Sequence, residues 1–73
     1  MDQEESTLTW EDSFAIAQAL SKLKPEINLE EVSLMMIYHW TLGLPGFDDD
    51  PQLANDDILA AIYQEWYEEE AGI

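Results

Sequence analysis

The chain has 73 residues, 17 of them acidic against two lysines and no arginine, for a formal net charge of −15, and so short a chain supports one domain around one small core. Such a charge repels phosphate backbones and anionic lipid, which excludes most nucleic-acid readers and membrane-surface binders. With no cysteine, disulfides, thiolate zinc sites and a cysteine-ligated iron-sulfur cluster are excluded, so any sulfur or cluster belongs to a partner.

Residues 1 to 7 read as a flexible acidic tail. They are polar where a secretory signal would be basic and then apolar, so a cytoplasmic protein is expected. Thr9-Trp10-Glu11-Asp12 has the form of a capping box with Thr9 as N-cap and predicts a first helix from Trp10 to about Leu23. Ile16, Leu20 and Leu23 fall on its core-facing stripe, with Ser13, Ala17 and Ala19 beside them. Phe14 lies off that stripe and is either exposed or folded back over Trp10. Lys24-Pro25 ends the helix, because a residue before proline is pushed out of the helical region.

Asn28, with Glu31 three residues on, predicts a second helix start. Val32 to Leu34 could form a short extended piece before it. From Leu34 to Trp40 apolar side chains point in every direction, with Met35, His39 and Leu42 on one side and Met36, Ile37, Trp40 and Leu44 on another. This segment is either central in the fold or a partner surface. The Leu34 to Tyr38 run is too short to span a bilayer.

Gly43, Pro45, Gly46 and Pro51 make Gly43 to Ala54 a surface loop carrying Asp48, Asp49 and Asp50. Asn55 caps a third helix, with Asp56 and Asp57 in its first turn and Ile58, Leu59, Ile62, Tyr63 and Trp66 as its apolar stripe. Fraying is expected near Glu69. The fold class that follows is mainly α: a small three-helix bundle of winged-helix-like outline with a minimal extended segment.

Asp48, Asp49, Asp50, Asp56 and Asp57 put five carboxylates near one helix start. Oxygen-rich groups of this kind bind divalent cations, ferrous iron among them, with little discrimination. The same residues equally suit protein docking, or simple solvated charge that caps the third helix. An EF-hand counted from Asp48 fails, because Leu53 and Leu59 stand where glycine and glutamate are required. His39, the single histidine, reads as a buried or half-buried structural imidazole. Without cysteine or a second histidine, thiol nucleophiles, zincin motifs and typical triads are absent, and no enzyme is expected. Glu65, Glu68, Glu69 and Glu70 gather at the end of the third helix, where negative charge opposes the dipole. They either steer a basic partner or form a solvated, frayed end.

Leu8-Thr9-Trp10 with Asp12-Ser13, then Trp40, then Phe47-Asp48-Asp49-Asp50-Pro51-Gln52, then Asn55 and Ile58-Leu59 resemble the IscX family over residues 8 to 69. The resemblance implies a small winged-helix-like fold over residues 8 to 70, encoded with the iron-sulfur assembly machinery. It also implies binding to the cysteine desulfurase IscS, weak Fe(2+) binding through acidic residues, and tuning of the desulfurase alongside frataxin. Where the family usually reads His-Gln-Trp, this chain has Tyr38-His39-Trp40, which moves the imidazole about 100° around a helix.

Carried over residue by residue, the metal candidates are Asp48, Asp49, Asp50, Asp56 and Asp57. The partner-binding candidates are Glu11, Asp12, Asp48, Asp49, Asp50, Glu65, Glu68 and Glu69. The expected function is that of an acidic, monomeric adaptor of iron-sulfur cluster assembly with no tightly bound cofactor, and neither nucleic acid nor membrane as partner. The alternatives are an iron-donating metallochaperone and an acidic mimic of nucleic acid.

Overall fold

A computed structural model describes residues 7 to 72; all of the expected tail except Thr7 lies outside them. Three helices follow in chain order, α1 (Ser13–Leu23), α2 (Leu34–Leu42) and α3 (Asp56–Ala71), with single 3-10 turns at Leu29–Glu31 and Pro51–Leu53. The bundle is mainly α. Among the described residues the strand-type pairing is one isolated parallel bridge, Leu8 with Phe47, and no wing is built beyond it.

The longest helix is the spine. α1 packs most extensively on α3, α2 leans on α3 less closely, and α1 and α2 touch little. Leu59, Ile62 and Trp66 recur at helical spacing on the buried face of α3 and meet Ile16, Ala17 and Leu20 of α1 in one core with Trp10, Leu29, Ile37 and Leu44. Trp40 meets Trp66 edge to face at 6.1 Å between ring centroids, and the Lys24 ammonium lies 5.0 Å over the Trp40 ring. One of the two cations thus closes an end of the aromatic core through its attraction to the ring face.

Several expected boundaries move, each for a local reason. α1 starts at Ser13, not Trp10: the Asp12 carboxylate does accept the Thr9 backbone N–H at 2.9 Å, but the Asp12 N–H donates to the Thr9 carbonyl at 3.0 Å, closing a separate turn, and Asp12 itself is the non-helical cap residue (φ −91°, ψ 53°). Leu23, placed on the core stripe, is 52% exposed at the last position of α1. Phe14 is exposed. Asn28 caps the Leu29–Glu31 turn by accepting the Glu30 N–H, and α2 begins only after Ser33.

Val32 and Ser33 are extended, while Leu34 is already helical. At the start of α2 the Ser33 hydroxyl accepts the Met36 N–H at 3.2 Å and the Met36 thioether accepts the Ser33 N–H at 3.4 Å. A sulfur therefore stands where a capping box ordinarily has glutamate or glutamine.

His39 is exposed, against the expectation of a buried imidazole. The buried face of this segment is Ile37, Thr41 and Leu44, and a position two residues from Ile37 points roughly 200° away. The His39 ring instead meets Tyr38 edge to face at 5.3 Å. α3 does not fray at Glu69 but runs to Ala71, where Gly72 in the left-handed conformation (φ 75°) offers its N–H to the carbonyls of Glu68 and Glu69. Ties from Ser21 to Glu70 (2.6 Å) and from Gln64 to Glu68 (2.8 Å) offset part of the repulsion there.

Thr41 is fully buried, and its hydroxyl has no hydrogen-bond partner among the described residues. A hydroxyl removed from water without compensation is destabilising, and valine has nearly the same shape. Thr41→Val is expected to raise stability by about 1 kcal/mol. Urea unfolding checks this: the midpoint should rise with an unchanged slope, and an unaltered or lower midpoint would mean that the hydroxyl is satisfied in solution.

Candidate functional site

The loop after α2 is shaped by a tight turn at Pro45-Gly46. Gly46 has φ 84°, a conformation in which a side chain is strained. The turn aims the Gly46 carbonyl at the Leu8 N–H (2.8 Å), and the Asp48 N–H then returns to the Leu8 carbonyl (2.9 Å). These two bonds lay the Leu8–Asp12 segment along Phe47–Asp49, although the segments are far apart in the chain.

Trp10 pins the pairing. Its backbone N–H donates to the Asp49 carboxylate at 3.0 Å, and its indole N–H donates to the Asp50 carbonyl at 2.8 Å, across 39 and 40 residues of sequence. The ring is almost completely buried, stacked parallel to Tyr38 at 6.0 Å and set edge to face against Phe47 at 4.7 Å. Such aromatic pairs add to the burial of area. The other Asp49 oxygen accepts the Asp50 N–H (2.7 Å), and Asp50 accepts the Gln52 N–H (2.9 Å), capping the Pro51–Leu53 turn. Two of the three loop aspartates therefore shape the loop that carries them.

The result is an acidic corner. Glu11, Asp48 and Asp50 are exposed in it, and Asp12 and Asp49 are half-buried. Asn55 caps α3 through the Ile58 N–H (2.9 Å), and Asp56 and Asp57 stand exposed in the first turn that follows, where the helix dipole favours them.

Glu65, Glu68 and Glu69 belong elsewhere. α3 has 16 residues and is about 24 Å long, so these glutamates lie at the opposite end from Asp56. The partner-binding candidates thus divide into a corner and a distant patch. Among the described residues no three histidine, aspartate or glutamate side chains are gathered so as to hold a metal ion.

Neither Trp10 nor Leu53 is among the site residues expected from the sequence, where Trp10 opens the first helix and carries part of the family motif and Leu53 enters only through the failed EF-hand count. In the structure Thr9, Trp10, Glu11, Asp49, Leu53 and Ile58 line a cleft of about 470 Å3 beside the aspartates. On the other side of the same loop, Met35 and Tyr38 face Pro51, Ala54 and Asp56 across a smaller cleft of about 320 Å3. The aspartate loop is therefore a ridge between two partly apolar furrows. A tryptophan directly before two acidic residues, with Phe47 directly before three, was the signal that could have pointed to this pairing.

The family model described as iron-sulphur cluster assembly matches residues 8–71. The chain is also similar to an uncharacterized protein of Pseudomonas aeruginosa, 38% identical over 63 residues that cover 86% of this chain and 96% of the relative. With the match running from the Leu8 bridge through all of α3, the chain belongs to the iron-sulphur cluster assembly family, the IscX family that its motifs resemble.

Proposed function

We propose that the protein is an acidic adaptor of iron-sulfur cluster assembly that lays its corner on a basic surface of an IscS-like cysteine desulfurase in the cytoplasm, as a monomer, and tunes sulfur delivery without catalysing a reaction. The observation that carries this reading is the gathering of Glu11 and Asp12 with Asp48, Asp49 and Asp50 into one surface by the two hydrogen bonds of Trp10. Complementary fields speed association and select the partner, and they weaken with salt.

The chain has no cysteine, so a sulfur in transit stays covalently on the partner. Its one histidine is exposed on α2. Weak Fe(2+) binding at the corner is compatible with docking. With Asp49 and Asp50 engaged by backbone N–H groups, fewer oxygens remain for a cation, which favours the adaptor over an iron-donating metallochaperone.

Calorimetric titration into the desulfurase tests the reading. Asp48, Asp56 and Asp57 are exposed, so changing all three to asparagine leaves the Trp10 contacts in place. The triple variant is expected to bind about tenfold more weakly at low salt. Wild-type affinity should itself fall as salt rises. Equal affinity of variant and wild type, or an affinity indifferent to salt, would count against docking through this corner.

A further inference from the structure

The corner carries more than charge. The cleft of about 470 Å3 beside it is lined by Leu53 and Ile58 together with Asp49 and the Thr9–Glu11 turn. Leu53 is 56% exposed, yet the turn that holds it is fixed by the Asp50 cap and by the Leu53 N–H donating to the Asp50 carbonyl at 3.0 Å. Its exposure is thus a held position. Isolated exposed leucines are ordinary on protein surfaces; this one edges a cleft whose lining also contains Glu11 and Asp49 and no cation. Both lysines lie near the end of α1, and one of them, Lys24, covers Trp40.

Two simple kinds of occupant fit badly. A purely basic segment would match the carboxylates but leave the cleft wet and Leu53 uncovered, gaining nothing from apolar burial. A purely apolar segment would cover Leu53 but desolvate Glu11 and Asp49 without a counter-charge, which is strongly unfavourable. We infer that the cleft receives an apolar side chain of a partner segment in which lysine or arginine flanks that residue. The flanking cations meet Glu11, Asp48 and Asp49, while the apolar residue packs on Leu53 and Ile58. Affinity then has two parts, a salt-sensitive one from the carboxylates and a salt-resistant one from the cleft.

This inference rests on the docking reading, and the experiment separates the two. The full chain, Leu53→Ser and Leu53→Met are titrated into the desulfurase at low and at high salt and at several temperatures. Leu53→Ser is expected to bind about tenfold more weakly at both salt concentrations, with a smaller negative heat-capacity change because less apolar area is buried. Leu53→Met, which keeps the apolar contact, is expected to bind like wild type. Unchanged melting temperatures verify that both variants are folded. If Leu53→Ser matches wild type in high-salt affinity and in heat capacity while wild type still binds in a salt-dependent way, the cleft inference is overturned and docking stands. If wild type does not bind at all, docking fails and the cleft inference falls with it.

Discussion

Trp10→Ala is expected to remove about half of the stability of the fold and to lower the urea midpoint steeply. Removing a buried tryptophan costs about 3–5 kcal/mol through lost burial and the cavity left behind, and here the Asp50 carbonyl also loses its indole donor. The whole stability margin of a domain this size is about 4–11 kcal/mol. Trp10→Phe separates the two contributions. It keeps an aromatic ring between Tyr38 and Phe47 but removes the N–H, and should cost about 1–2 kcal/mol while the fold survives.

Urea unfolding gives the stabilities, and hydrogen exchange locates the change. In Trp10→Phe the amides of Asp50 and Gln52, which close the loop on aspartate oxygens, should exchange faster than those of α1 and α3. A Trp10→Ala protein that unfolds at the wild-type midpoint would show that the ring is not the pin of the corner.

Salt should stabilise this protein strongly. Fourteen of the seventeen acidic residues and both lysines fall within the described residues, which span 36 × 27 × 18 Å. At about 0.01 M ionic strength the screening length is about 30 Å, so nearly every carboxylate repels every other, whereas at about 1 M it is about 3 Å and only near neighbours interact. Self-repulsion of this kind opposes the compact state more than the expanded one. The contacts that would resist it are few, since Lys24 is engaged over Trp40 and the glutamates at the end of α3 oppose its dipole.

Thermal melts between these ionic strengths in sodium chloride are expected to rise by roughly 5–10 °C, the shift that about 1 kcal/mol or slightly more produces in a domain of this length. A melting temperature flat in salt would mean that the unfolded chain suffers the same repulsion and that charge has no net hold on the fold. Glu68→Gln with Glu69→Gln should reproduce a small part of the gain at low salt and none of it at high salt.

Local signals and long-range pairing were unequally legible. α3 could be read almost completely, because an asparagine cap, two aspartates in the first turn and a stripe ending in Trp66 all agree with one helix. Only its end was misjudged, since a left-handed glycine outweighs like-charge repulsion between neighbouring glutamates. The start of α1 was harder. Thr9 and Asp12 have the right spacing for a box, and the carboxylate does reach the Thr9 N–H; the chain between them is a turn because Trp10 is drawn toward Asp49 and Asp50. His39 was misplaced because a segment with apolar residues on all sides has no resolved periodicity, so which face becomes buried is decided by α3.

The candidate site divides along the same line. The aspartate run before Pro51, followed by an asparagine-capped helix, marks a charged loop from composition alone. Its pairing with Leu8–Asp12 depends on the indole and on Gly46, neither of which leaves a periodic trace. Leu53 was invisible for a related reason: it occupies a three-residue turn, too short for any hydrophobic pattern to show which way the side chain faces.

That the corner is assembled from stretches 39 and 40 residues apart distinguishes electric charge from molecular shape. Denaturing the polypeptide, or halting its synthesis before Asp50, leaves most of the carboxylates in place but abolishes the surface that Trp10 organises. A recogniser that senses only negative potential would capture such incomplete chains as readily as finished ones, whereas one that engages the assembled ridge and its furrow would ignore them and be free for intact copies.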